Sequence, residues 1–254
     1  MKGHNTRRDF LLASAAVGAG LVLTSCAGGN TARTNQQAKT GSPVKPDAGE
    51  QGGEVTATED LMREHGVLRR ALLVYTAAAG KLRANASSVP PDALQKTAKL
   101  FRAFGEEYHE KKLEEQFIFP AVRKAGETAT ALPDILVVQH GRGREITDYV
   151  LAVTSGAKIG GNAAELAKAL EAFVLMYEHH AAREDTVIFP AWKRTMTEGQ
   201  LDERGERFEE IEHEQFGEDG FDEAVKQIGD IEGGLGLADI SQFTAPPPPK
   251  VSGT

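Results

Sequence analysis

The chemistry this sequence could perform lies in its histidines and the acids beside them. Of seven histidines, six fall in segments with helical apolar spacing: His65, His109, His140, His179, His180 and His213. The only cysteine, Cys26, excludes a disulfide framework and any zinc site that needs two thiolates. Imidazole and carboxylate are therefore the available ligands. His180 and Glu184 are four apart, about 40° around a helix, so both side chains can reach one cation. His109 and Glu114 are five apart, about 140° around an ideal α-helix. That spacing suits a carboxylate that reaches a second ion or bridges two, and a local helix bulge would bring the pair together.

The pairs sit in a partial repeat. YHEKKLEEQFIFPAV (108–122) and EHHAAREDTVIFPAW (178–192) each carry histidine, paired acids and Ile-Phe-Pro-Ala. Counted back from Ile-Phe-Pro, Glu114 aligns with Glu184, His109 with His179, and Glu110 with His180. The first segment thus offers His109, Glu110 or both. Each element has a plain reading: a lone inward His65 or His140 as a core histidine, Glu106 to Glu115 as a solvated face, Phe-Pro as a helix stop. Their joint occurrence on four successive helices points elsewhere. Several inward histidines and glutamates cannot be satisfied by hydrocarbon, and a bound cation satisfies them together. His213, within Glu210-Ile211-Glu212-His213-Glu214, reads as a cap or outer partner before a ligand.

The elements that position these residues are helices. Between 57 and 240 the apolar residues recur at steps of three and four, with no period-two strand. One stripe, starting near Thr58, holds Leu61, His65, Leu68, Leu72 and Tyr75. A second segment starts at Pro91-Asp92 and runs through Leu94, Ala98, Phe101 and Phe104 to Phe119-Pro120. A third starts at Pro133, with Leu136, His140, Gly143, Thr147 and Leu151. A fourth, after Gly160-Gly161-Asn162, has Leu166, Leu170, Phe173, Tyr177, His180, Glu184 and Val187. Short Gly/Pro-bearing joints make an all-α, up-down-up-down four-helix bundle over 57–195 the simplest packing. In it the second and fourth helices run the same way and their His/Glu ends meet at one depth. An additional C-terminal helix is expected over about 200–228, within an extension spanning 196–240.

The flanks carry other information. Arg7-Arg8 before the apolar run Phe10–Leu23 reads as a twin-arginine export signal over residues 1–25, the run being shorter than the roughly 20 residues of a spanning helix. Leu23-Thr24-Ser25-Cys26 resembles a bacterial lipobox, which makes Cys26 the lipidation site and places the protein in the cell envelope, held to a membrane by that lipid alone. Residues 26–56 read as a flexible tether and 241–254, with Pro246 to Pro249, as an unpacked tail. The net charge of −8, from 29 Lys+Arg against 37 Asp+Glu, argues against a nucleic-acid partner.

His65, YHEKKLEEQFIFP, His140 and HHAAREDTVIFP together resemble the hemerythrin-like, or HHE cation-binding, family over residues 57–195. The resemblance implies a bundle around a non-haem di-iron centre, or another divalent metal, that binds oxygen, peroxide or nitric oxide. Its ligands would be His65, His109, Glu114, His140, His180 and Glu184, the glutamates bridging; Glu110, His179 and His213 are further candidates. Oxygen carriers of the family have a second histidine four residues after the one in the third helix, where this chain has Arg144. A shell poorer in imidazole favours oxidised irons and argues against reversible carriage. The alternatives are an iron-binding or storage module and a metal-dependent sensor.

Overall fold

The computed structural model describes residues 55–126, 128–159, 163–217 and 220–249. The export signal, Cys26, most of the tether and the Gly160-Gly161-Asn162 joint lie outside them. Every regular element from Thr56 onward among the described residues is helical.

Helix α1 (Ala57–Ala84) starts where the Thr56 hydroxyl accepts the Glu59 N–H at 3.3 Å. Glu59 and Asp60 in its first turn and Lys81 and Arg83 in its last complement the helix dipole. Its whole expected stripe, Leu61, His65, Leu68, Leu72 and Tyr75, is buried. The second rod is one continuous helix in three parts: α2 (Pro91–Leu100), a π-helical stretch (Phe101–Ile118) and α3 (Phe119–Ala125). The third rod is α4 (Leu132–Val153). The fourth comprises α5 (Ala163–Arg183), a π turn (Glu184–Ile188) and α6 (Phe189–Lys193).

Both π segments end the same way. Phe119 donates its N–H to the Glu114 carbonyl, and Phe189 to that of Glu184, five residues back in each case. The following Pro120 and Pro190 have no N–H to continue an i→i−4 ladder, and their rings crowd the carbonyl four residues earlier. A wider turn absorbs the conflict. It also shifts the inward register by one: Val187, expected on the core stripe, is 37% exposed, and Ile188 at 0% replaces it. At the end of α4, likewise, Val150 is fully buried and Leu151 only half-buried.

The rods pack in a ring, α1 against the π stretch and α5, α4 against the π stretch and α5, the expected up-down-up-down bundle. Gly143 of α4 is a point of close approach, since a Cβ there would lie 2.9 Å from the Tyr177 Cζ and closer still to its hydroxyl. The C-terminal extension, expected as one helix, forms two: α7 (Glu198–Phe216), opened by a Thr197/Gln200 capping box, and α8 (Gly220–Leu235). The break falls at Gly217, whose φ of 84° closes α7 by an N–H bond to the His213 carbonyl. α7 lies on α1 and the π stretch, with Trp192 and Phe208 stacked at 5.7 Å, and α8 lies on α1 and α2. Arg70 of α1 binds Glu232 of α8 through hydrogen bonds of 3.0, 3.2 and 2.5 Å. The tail read as starting at 241 begins with a 3₁₀ turn (Ile240–Phe243) before an exposed run to 249. Among the described residues no helix is long and apolar enough to cross a membrane.

Ile228 of α8 is fully buried in this seam. Ile228→Ala is expected to lower stability by about 2–5 kcal/mol in urea unfolding. A loss under about 0.5 kcal/mol, the size of an ordinary surface change, would show that α8 does not share the bundle core.

Candidate metal centre

Six inward side chains converge where the four rods cross the same level. His65 is 2% exposed, His109 1%, His140 0% and His180 3%, and Glu114 and Glu184 are both at 0%. His140, His180, Glu114 and Glu184 each offer a donor atom within 4.8 Å of one another, and so do His65, His109 and Glu114. The two glutamates lie between two histidine pairs. Glu114 Oε1 is 3.3 Å from His109 Nε2, and its Oε2 is 3.4 Å from His140 Nε2. Glu184 Oε1 is 3.0 Å from His180 Nε2, and its Oε2 is 3.6 Å from His65 Nε2. The five-residue separation of His109 and Glu114 is closed by the π stretch, which brings residues five apart onto one face.

Each imidazole is turned by a bond on its far side. His65 Nδ1 donates to Asp185 Oδ1 at 2.7 Å, His109 Nδ1 to Glu64 Oε2 at 2.7 Å, His140 Nδ1 to Glu115 Oε1 at 2.8 Å, and His180 Nδ1 to Gln139 Oε1 at 2.9 Å. These four bonds form a closed ring: α1 holds the second rod's histidine, the second rod holds that of α4, α4 holds that of α5, and the fourth rod holds that of α1. With Nδ1 as the donor, each Nε2 presents its lone pair inward. His65 and His109 then face each other at 3.0 Å between Nε2 atoms, and His140 and His180 at 3.1 Å. Two lone pairs at that distance repel unless a proton or a cation lies between them. Two imidazoles about 2.1 Å from one ion and a right angle apart would be about 3.0 Å from each other.

The carboxylates make the same demand. All four side-chain oxygens of Glu114 and Glu184 are buried without a hydrogen-bond partner, which is costly for an anion. Protons on His109 and His140 answer part of the deficit in the metal-free protein. Burial opposes charge on His109, but Glu114 and Glu64 outweigh it and hold His109 well above its ordinary range. His140 is likewise raised to about 10 against burial, by Glu110, Glu114 and Glu115. Burial would raise Glu114, but His109 and His140 keep it well below the usual carboxylate range. The donor set thus fits cations in place of those protons.

The halves mirror one another beyond the ligands. Arg69, four after His65, clamps Asp185; Arg144, four after His140, clamps Glu115 at 2.7 Å. Phe189 lies 5.3 Å from the His65 ring, and Phe119 5.5 Å from that of His140. Arg144, where family carriers have a second histidine, is therefore a holder of Glu115 and, at 3.3 Å, of Glu110. Glu110 is buried 3.9 Å from His140 Nδ1, accepts the Tyr177 hydroxyl at 2.6 Å, and forms with Glu115 and His140 a further group that could hold a metal. His179 is exposed beside Arg183, and His213 is exposed on α7. Neither joins the cluster. Glu64, Gln139, Asp185 and Arg69 escaped the sequence reading, which placed Glu115 in an acidic run and saw Arg144 only where a histidine was missing. A second repeat, EHGVLR (64–69) against QHGRGR (139–144), carries Glu64, Arg69, Gln139 and Arg144.

A small cavity of about 10 Å³, room for one water-sized molecule, lies against the cluster between α1, the π stretch and α5. Leu68, Leu72, Phe101 and Ala181 supply its apolar wall. Behind Tyr177, Glu106 is fully buried, accepts the Thr147 hydroxyl at 2.5 Å and pairs with Arg102 at 2.8 Å. Burial dominates there and pushes Glu106 up to about 7, with Glu110 adding to the rise and Thr147 and Arg102 opposing it. An acid raised on folding stabilises the fold as its neutral form below about pH 4.5, and that contribution is lost as the pH climbs towards about 7. Glu106→Gln is expected to remove a decline on the order of 3 kcal/mol across that window. Melting of both metal-free proteins against pH tests this; identical slopes would show that Glu106 titrates normally.

The chain matches the Hemerythrin HHE cation binding domain over residues 56–192. It is also 42% identical over 246 residues to uncharacterised proteins of Mycobacterium tuberculosis and Mycobacterium bovis, covering 94% of this chain and 90% of theirs. No solved structure matches it. With a bundle whose inward histidines and glutamates could hold metal, the chain belongs to the hemerythrin HHE cation-binding family.

Proposed function

We propose that this protein is a non-haem di-iron protein that reacts with oxygen, peroxide or nitric oxide. The observation that carries the reading is a pair of donor sets that share a glutamate: His140, His180, Glu114 and Glu184 on one side, and His65, His109 and Glu114 on the other, with Glu184 Oε2 3.6 Å from His65 Nε2. His65 and His109 would hold one ion, His140 and His180 the other. Two histidines with carboxylate and no thiolate suit iron, which supplies redox change and open coordination positions for a small oxygen- or nitrogen-containing ligand.

The protein's own residues prepare the place. The ring of Nδ1 bonds holds the four imidazoles in one tautomer, so little reorganisation accompanies metal entry. The pocket admits only a small ligand, and Leu68, Leu72 and Phe101 limit the water that enters with it. Tyr177, whose hydroxyl donates a hydrogen bond to Glu110, and Arg144, which also donates to Glu110, hold a proton-bearing chain next to the cluster. A second reading, a metal-dependent sensor, draws support from the Tyr108 hydroxyl, 3.1 Å from Glu64 Oε1 and 3.5 Å from Glu212 of α7. Through Glu64 that contact ties His109 to the C-terminal helices.

Anaerobic purification followed by metal analysis tests the reading. Two irons per chain are expected, with new charge-transfer absorption on adding oxygen, peroxide or nitric oxide; fewer than about one iron and no such bands would defeat it. Glu114→Ala and Glu184→Ala should each remove most of the bound iron, and full retention by either would overturn its place as a bridge. We also propose export by the twin-arginine route with a lipid on Cys26, on the strength of Arg7-Arg8 and Leu23-Thr24-Ser25-Cys26. Intact mass of the membrane fraction should show an acylated N-terminal Cys26, and an unmodified mature chain would exclude the anchor.

A further inference from the structure

Three of the four links in the histidine ring are carboxylates, and the fourth is a neutral amide. Glu64, Glu115 and Asp185 accept from His109, His140 and His65, but His180 Nδ1 is held by Gln139 Oε1 at 2.9 Å. A carboxylate accepting an imidazole N–H draws the proton outward and makes the opposite nitrogen a better donor to a metal. An amide oxygen does less of this. The difference falls on one half, because His65 and His109 are both backed by carboxylates whereas His140 alone is so backed in the other pair.

Glu110, buried 3.9 Å from His140 Nδ1, adds negative charge to that half, but no carboxylate takes the place of Gln139 at His180 Nδ1. Each half has one arginine on one anchor, Arg69 on Asp185 and Arg144 on Glu115. Glu110 adds a carboxylate near His140, but it is engaged by the Tyr177 hydroxyl and Arg144 and makes no bond to a ligand imidazole. Where Glu64 stands immediately before His65, Gln139 stands immediately before His140, so the two anchors occupy equivalent places; Glu64 is charged and 1% exposed, and Gln139 is neutral. Gln139 is half-buried, which leaves room and partial hydration for a carboxylate of the same shape.

We infer that the two cation positions are unequal by construction: the His65–His109 position binds more tightly and fills first, and Gln139, acting through His180, is the positioning residue that keeps the second position weaker. The inference rests on the two-ion reading above. It is tested by titrating the metal-free protein anaerobically with Co²⁺ against a competing chelator and following the d–d absorption of each step. The wild-type protein should take up two Co²⁺ in separable steps. Gln139→Glu should tighten the second step by about 10–100-fold and leave the first unchanged, and Glu64→Gln should weaken the first by a similar factor. Thermal melting in chelator should be the same for Gln139→Glu and wild type, which separates a change at the metal from a change in the fold. Two Co²⁺ per chain with step affinities unmoved by Gln139→Glu, or moved equally, would overturn the inference while leaving the two-ion reading intact. Saturation at one Co²⁺ or fewer would overturn that reading and the inference with it.

Discussion

Two glutamates buried with four unpartnered oxygens between four histidines are the constraint around which this bundle is organised. Negative charge at that depth is tolerable only if positive charge is held beside it. His109 and His140 provide it in the metal-free protein, and the donor atoms around the glutamates could hold cations instead. The outward Nδ1 ring follows from this need. An imidazole free to rotate would let its Nε2 turn away, and each ring is instead fixed by an oxygen on a neighbouring rod. The centre therefore exists only when all four rods are in register, and the same bonds that orient the ligands brace the bundle.

The Ile-Phe-Pro ends solve a local problem and a distant one together. A proline one residue after each phenylalanine disrupts the α ladder, and the wide turn that relieves it sets Glu114 and Glu184 at the height of the histidines. The phenylalanines then lie against His140 and His65, so the kink also supplies apolar cover for the ligands on the rods across the bundle. What reads in the sequence as a helix stop is part of the centre.

The C-terminal pair is more than a brace. α7 and α8 cover the side of the bundle formed by α1 and the second rod. Glu212 accepts the Phe221 N–H at 2.5 Å, joining α7 to the start of α8, and lies within reach of the Tyr108 hydroxyl. Movement of α7 would be felt at Glu64 and through it at His109. Among the described residues the α4–α5 side carries no such helix pair, so the two histidine pairs differ in what surrounds them.

Much of this was legible in the chain itself. Apolar steps of three and four define a helix face whatever the helix later packs against, so the inward place of His65, His140, His180 and Glu184 follows from local periodicity. The Ile-Phe-Pro repeat likewise matched Glu114 with Glu184. Local spacing reached its limit where the π turns changed the period: it placed Val187 inside instead of Ile188, and it left His109 and Glu110 undecided. It also read 200–228 as one helix across Gly217. Partnerships between rods depend on rotation and axial offset, which no single segment specifies. Only the packed bundle decided that Arg144 holds Glu115 in place of a ligand, that His179 and His213 stay outside, and that Gln139 is the one neutral link in the ring.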